Sequence, residues 1–287
     1  MKPKVSMIIN GHDFFWGNKT FVSGILNLTP DSFSGDGLSD NIKSAISQAI
    51  RFQEEGADFL DVGGESTRPS GSIYGAGAEK VPESEELRRI LPVIRELKAV
   101  LSIPICIDTY KARVAEKAIE AGASMINDVW GLQQDPDLGR VAGESGVPII
   151  LTHNQRNTDY QDLFDDIFNS LDRSIEFALY SGISQAKIIL DPGIGFGKTP
   201  AGNLEILRNL DLFKARYSKP LLVGTSRKSV IGIVLGGLDV KDRLEGTLAT
   251  IALAIAKGAD LVRVHDVKSV SRVVRMSDAI VRGWEPG

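Results

Sequence analysis

Polar side chains able to grip a flat ligand and an anion recur along this chain, each directly after a short apolar run. In order they are Asn27, Asp61, Asp108, Asn127 with Asp128, His153 with Asn154, Asp191, Ser226 with Arg227 and Lys228, and Arg263 with His265 and Asp266. Brought to one edge, such carboxylates and amides would line a pocket, and hydrogen bonds to charged groups contribute about 1.5 to 3 kcal/mol each. The segment from Gly224 to Ser229 runs into a helix-like stretch, so Ser229 falls near a helix N-terminus, where backbone N–H groups favour an anion. Arg263 and His265 add positive charge after the next run, and an arginine fork suits phosphate oxygens.

Other chemistries fail on spacing. Asp191 to Thr199 (DPGIGFGKT) ends like a phosphate-binding loop, but the leading glycine would fall on Pro192. Read as a dinucleotide fingerprint, Gly193, Gly195 and Gly197 have the wrong third spacing. His12 lies in an N-terminal hairpin, and His153 and His265 are far apart, which argues against a histidine zinc centre. A magnesium ion held mainly by a diphosphate would need far fewer protein ligands. The single cysteine, Cys106, sits in the apolar run Ile103 to Ile107 and reads as strand packing. Asp61, followed by two glycines, reads equally well as scaffold or as site.

The elements that must position these residues form a repeat of strand and helix. Strands are expected at Phe21 to Leu28, Ala57 to Val62, Ile103 to Ile107, Ser124 to Asn127, Val147 to Thr152, Lys187 to Leu190, Pro220 to Gly224 and Asp260 to Val264. Amphipathic stretches lie between them, among them Asn41 to Glu55, Glu83 to Ala99, Lys111 to Ala121, Asp162 to Ser181, Asn203 to Lys214 and Arg243 to Lys257. Nearly continuous apolar runs suit parallel strands covered by helices, and eight units fit a (β/α)8 TIM barrel better than an open doubly wound sheet. Met7 to Ile9 and Asp13 to Trp16, around Asn10-Gly11, read as a hairpin plugging the barrel bottom. We expect residues 1–20 to form that cap and residues 21–287 a single barrel domain. A formal charge of −4 from 33 basic and 37 acidic residues is too weak a field to argue for nucleic acid or a membrane surface as partner. With no apolar stretch near bilayer length and no signal-peptide core, a cytoplasmic location is expected.

Six segments in register resemble the dihydropteroate synthase family: Gly24 to Ser34 (GILNLTPDSFS), Asp61 to Pro69 (DVGGESTRP), Ile126 to Val129 (INDV), Asp191 to Thr199, Ser226 to Ser229 (SRKS) and Arg263 to Val267 (RVHDV). The resemblance implies a (β/α)8 barrel that joins 6-hydroxymethyl-7,8-dihydropterin diphosphate to p-aminobenzoate, with release of pyrophosphate. It implies that Asp108, Asn127, Asp191 and Lys228 hold the pterin, that Asn27, Arg263 and His265 hold the diphosphate, and that Asn27 contacts magnesium. Asn27, Lys228, Arg263 and His265 are then the catalytic set. Asp31, Phe33, Thr67, Arg68, Pro69, Arg227 and Ser229 match p-aminobenzoate and lid-loop positions, the lids being Thr29 to Ser39 and Glu65 to Ala78. A homodimer through the last helices is also implied. Thr152-His153 stands where the family commonly has Met-His, which exchanges an apolar wall of the pterin pocket for a smaller polar one.

Two rival readings are weaker. A corrinoid-dependent methyltransferase would share the pterin acids but needs no diphosphate site, and a non-catalytic pterin-binding homologue would not need Asn27, Arg263, His265 and both lids.

Overall fold

Every expected apolar run is a strand in the computed structural model, which describes residues 6–28, 38–66, 77 and 80–284. The strands are β1 (Ser6–Ile9), β2 (His12–Phe15), β3 (Phe21–Asn27), β4 (Phe59–Gly63), β5 (Ile105–Asp108), β6 (Met125–Asp128), β7 (Ile149–Thr152), β8 (Ile188–Asp191), β9 (Leu222–Val223) and β10 (Leu261–Val264). From β3 onward they are parallel, in the order β8-β7-β6-β5-β4-β3-β10-β9. A parallel bridge between Leu190 and Leu221 joins the two ends, with the Leu190 N–H donating to the Pro220 carbonyl at 3.0 Å. The sheet therefore closes into a (β/α)8 barrel.

The surrounding helices are α1 (Leu38–Glu54), α2 (Glu83–Val100), α3 (Ala112–Ala121), α4 (Asp137–Ser145), α5 (Leu163–Tyr180), α6 (Pro200–Arg208), α7 (Leu210–Arg216), α8 (Ser229–Val234), α9 (Leu244–Ala256) and α10 (Val267–Arg282). The stretch expected as one helix from Asn203 to Lys214 is two, α6 and α7, meeting at Asn209. Asn209 leaves helical dihedrals (φ -120°, ψ 30°), and its side-chain amide donates to the Glu205 carbonyl at the end of the first helix.

Strand alternation decides what each face of the wall does. Outward residues such as Leu26, Leu60, Val62, Ile107, Ile126, Leu151, Leu190, Val223 and Val264 join the helices in one buried cluster. Each such side chain, once buried, contributes about 1.5 to 3 kcal/mol. At the strands' N-terminal ends the inward residues are Phe21, Phe59, Cys106, Met125, Ile150, Ile189, Leu222 and Leu261. They form a second cluster with Met7, Ile9, Phe14 and Trp16 of the N-terminal segment. Asn10 (φ 48°) and Gly11 (φ 80°) make the tight turn that folds this hairpin, and the Phe14 ring packs tilted against Phe21 with centroids 4.7 Å apart. The barrel bottom is thereby plugged with apolar and aromatic side chains, leaving the opposite end for polar groups. No helix among the described residues is long and apolar enough to cross a membrane.

Candidate active site at the barrel mouth

Two residues further along each strand, the same inward row becomes Ser23, Asp61, Asp108, Asn127, Thr152, Asp191, Gly224 and Arg263. One step of strand period thus converts an apolar plug into a ring of polar groups. Arg263 lies at its centre. Its Nε donates to Asp61 Oδ2, and its terminal nitrogen donates to Asp108 Oδ2 at 2.5 Å. Asn127 Nδ2 donates to both oxygens of Asp61, at 3.3 and 3.4 Å. Burial pushes the Asp108 carboxyl up to about 7, with Arg263 pulling it down and Asp61 pushing it further up. Arg263 is itself held above the usual guanidinium value by the two carboxylates, against the burial that opposes it. Among the described residues, two carboxylate or amide oxygens of this ring, Asp108 Oδ1 and Asn127 Oδ1, are buried with no hydrogen-bond partner, as is the Ser23 hydroxyl. Unsatisfied buried acceptors are costly, so a ligand bringing N–H donors would relieve them.

Asp191, at the end of β8, accepts the Gly193 N–H at 2.7 Å. Burial raises its pKa, and Lys228 opposes that rise. Lys228 caps α8, donates to the Ile194 carbonyl, and sits 4.2 Å from the centroid of the Phe196 ring. Burial lowers the Lys228 ammonium to about 8, with Asp191 resisting. The 193–197 loop that carries these contacts cannot bear side chains at its bends. A Cβ on Gly193 would meet the His153 carbonyl at 1.9 Å, and one on Gly195 would meet Lys228 Cδ at 2.7 Å.

The loop is pinned from beneath by Lys198, which is fully buried. Its Nζ donates to the Gly193 and Phe196 carbonyls, both at 2.9 Å, and lies 2.8 Å from His153 Nδ1. Burial, with Lys198 alongside, lowers His153 to about 2, so the ring is neutral and its Nδ1 accepts. Asn203 adds a further clamp, accepting the Gly195 N–H at 2.6 Å. In the sequence, Lys198 is one residue of the DPGIGFGKT run with no role of its own. Its place among carbonyls of a glycine-rich turn is a tertiary fact that spacing does not carry. At the Thr152-His153 step, Thr152 is buried beside Asp191, and His153 serves the Lys198 clamp.

After β9, the strand beside β8, Ser226 Oγ lies 2.9 Å from His265 Nδ1 and accepts the His265 N–H at 3.1 Å. Burial, reinforced by Arg263, lowers His265 to about 4. Asn27 ends β3, half-buried and level with Gly63 in the neighbouring strand. Arg227 has a left-handed backbone (φ 56°) held by Thr247 and Arg243, and its guanidinium forms a two-pronged pair with Asp266. Ser229 opens α8. Asp31, Phe33, Thr67, Arg68 and Pro69 lie outside the described residues, as do most positions of the two expected lids. Glu65, at the start of the second, is tied by Lys111 at 2.5 Å to Glu86 at 2.6 Å and to the Val81 carbonyl at 2.6 Å.

A barrel with this polar mouth defines a class of ligand-binding enzyme, and the family described as pterin binding enzymes matches residues 23–265. The dihydropteroate synthase of Clostridium beijerinckii is 49% identical over 96% of this chain and 100% of its own length. A Clostridium difficile dihydropteroate synthase solved with pteroic acid superposes with TM-score 0.88 at 48% identity, covering 93% of this chain and 98% of that one. The Xanthomonas albilineans dihydropteroate synthase solved with 4-aminobenzoic acid gives TM-score 0.89 at 37% identity, covering 96% and 98%. The chain belongs to the dihydropteroate synthase family.

Proposed function

We propose that this chain condenses 6-hydroxymethyl-7,8-dihydropterin diphosphate with p-aminobenzoate, forming 7,8-dihydropteroate and pyrophosphate. The observation that carries the reading is the joint presence, in one barrel mouth, of Asp108, Asn127, Asp191 and Lys228 with Arg263 and His265. The relatives' complexes with pteroic acid and 4-aminobenzoic acid support it.

Asp191 accepts the paired N–H groups of the pterin's 2-amino and N3 edge, and Lys228 donates to the O4 and N5 side. Asp108 Oδ1 and Asn127 Oδ1, both unpartnered among the described residues, take ring N–H donors. Arg263 spends two N–H groups on Asp61 and Asp108 and keeps three for diphosphate oxygens. His265, whose Nδ1 faces Ser226, turns Nε2 to the same anion, and the arriving negative charge draws its depressed pKa upward. The bond between the exocyclic methylene and the diphosphate oxygen breaks, and pyrophosphate leaves with the electron pair. The positive charge spreads into the pterin ring. The amine nitrogen of p-aminobenzoate then bonds to the methylene and loses a proton. Positioning and charge stabilisation do this work without a covalent enzyme intermediate.

Among the described residues no three His, Cys, Asp or Glu side chains gather as a metal cage. A hard amide oxygen at Asn27 beside substrate oxygens and water suits magnesium, which prefers such partial coordination. When bound, the ion supplies charge neutralisation for the leaving diphosphate. By family resemblance, Phe33, Thr67 and Pro69 enclose p-aminobenzoate with Asp31, Arg68 and Arg227 about the loops, and Ser229 receives its carboxylate. Sulfonamides, which mimic that acid, should compete with it. Exposed Ile233, Val234, Leu253, Met276 and Ile280 on α8 to α10 support a homodimer through these helices. A cytoplasmic setting accords with the single, buried cysteine.

The test is turnover. With magnesium, the pterin diphosphate and p-aminobenzoate, the protein is expected to release one pyrophosphate per dihydropteroate formed. Tight binding of both substrates without release would favour a non-catalytic pterin-binding role.

A further inference from the structure

Asp61 touches both halves of the mouth. Its carboxylate lies in the inward ring with 1% exposure, accepting from Arg263 Nε on one side and Asn127 Nδ2 on the other. A carboxylate accepts only, so the side-chain amide of Asn127 has one orientation available: nitrogen toward Asp61, oxygen away from it within the inward row. That oxygen is one of the buried acceptors left without a partner among the described residues. The Arg263 Nε–H bond to Asp61 Oδ2 in turn fixes the plane of the guanidinium against this carboxylate.

We infer that Asp61 is a positioning residue which sets the hydrogen-bond polarity of Asn127, so that the pocket presents an acceptor there and selects ring systems carrying an N–H donor at that edge. This rests on the reading of the mouth as a pterin site and adds to it a residue with no ligand contact of its own. With an asparagine at position 61, the new amide gives its oxygen to Arg263 Nε and its nitrogen to residue 127. Asn127 must then turn over, offering a donor to the ligand's donor. Exchanging both residues restores the original pattern. The amide at 61 donates to a carboxylate at 127, whose second oxygen accepts from the ring.

The experiment is calorimetric titration of the wild type, Asp61→Asn, and the swap Asp61→Asn with Asn127→Asp, each with 6-hydroxymethyl-7,8-dihydropterin. Asp61→Asn is expected to weaken binding about tenfold, and the swap to recover it to within about threefold of wild type, as one mispaired buried hydrogen bond implies. A merely structural role would give a second loss on top of the first, not recovery. An unchanged dissociation constant in Asp61→Asn, or a swap binding no better than the single variant, would overturn the inference while leaving the pterin reading intact. A wild type that does not bind the ring would remove that reading itself. If Asp61→Asn fails to fold, a swap that folds and binds sustains the inference, and one that does neither overturns it.

Discussion

Asp191→Ala is expected to weaken binding of 6-hydroxymethyl-7,8-dihydropterin by about a hundredfold or more, with the thermal unfolding profile retained. Two charge-assisted hydrogen bonds at about 1.5 to 3 kcal/mol each set that scale. The loss extends to Lys228. Its ammonium, already lowered by burial to about 8, is held up chiefly by Asp191, so removing the carboxylate moves Lys228 further toward the neutral amine. A neutral amine is a weaker donor to the ring oxygen. The fold is expected to survive because, among the described residues, the Asp191 side chain accepts one hydrogen bond, from the Gly193 N–H, its backbone bond to the His153 N–H is kept in the variant, and Lys198 and Asn203 independently hold the loop. Calorimetry with the ring-only pterin checks this, and an unchanged dissociation constant would remove Asp191 from the ring pocket.

Arg263→Ala should affect both stability and ligand selectivity. Asp61 and Asp108 would face each other without their shared cation, and breaking a buried pair in this way costs about 3 to 5 kcal/mol. The Asp108 carboxyl, already pushed up to about 7 by burial against the pull of Arg263, would rise further. A group whose folded pKa is raised adds stability at low pH that is lost as pH climbs through the folded value. The variant should therefore be distinctly more stable near pH 5 than near pH 8. Denaturant unfolding across that range measures it, and a flat profile would contradict the shared-cation account. On the ligand side, the variant should lose affinity for the pterin diphosphate by at least about tenfold more than for the ring-only pterin, one guanidinium–phosphate contact being of that order. Equal losses would place Arg263 elsewhere.

The barrel was readable in the sequence because parallel strands covered by helices are apolar on both faces, and glycine recurs before Ala57, Ala123, Val147 and Ala259. The candidate site was readable because polar residues follow each of those runs. What stayed hidden depends on partners distant in the chain. Asp61 read equally as scaffold or site, since only closure of the barrel brings β10 beside β3 and Arg263 onto a carboxylate from β4. Strand alternation carried a usable signal: counting two residues on from Phe59 places Asp61 in the inward row. Lys198 followed no strand period at all, and its burial depends on carbonyls that turn inward at Gly193 and Phe196. The break at Asn209 was equally illegible, because the residues on either side keep a helical pattern and the interruption is one residue with non-helical dihedrals (φ -120°, ψ 30°) whose side chain bonds the Glu205 carbonyl.

The central claim is that ring-gripping acids and diphosphate-gripping cations occupy one mouth. It is tested most directly by displacement titration on the wild type, using the ring-only pterin, inorganic pyrophosphate with magnesium, and the pterin diphosphate that unites them. The account predicts that one equivalent of the diphosphate ester displaces both smaller ligands together from a single class of site. Release of one with the other still bound would contradict it.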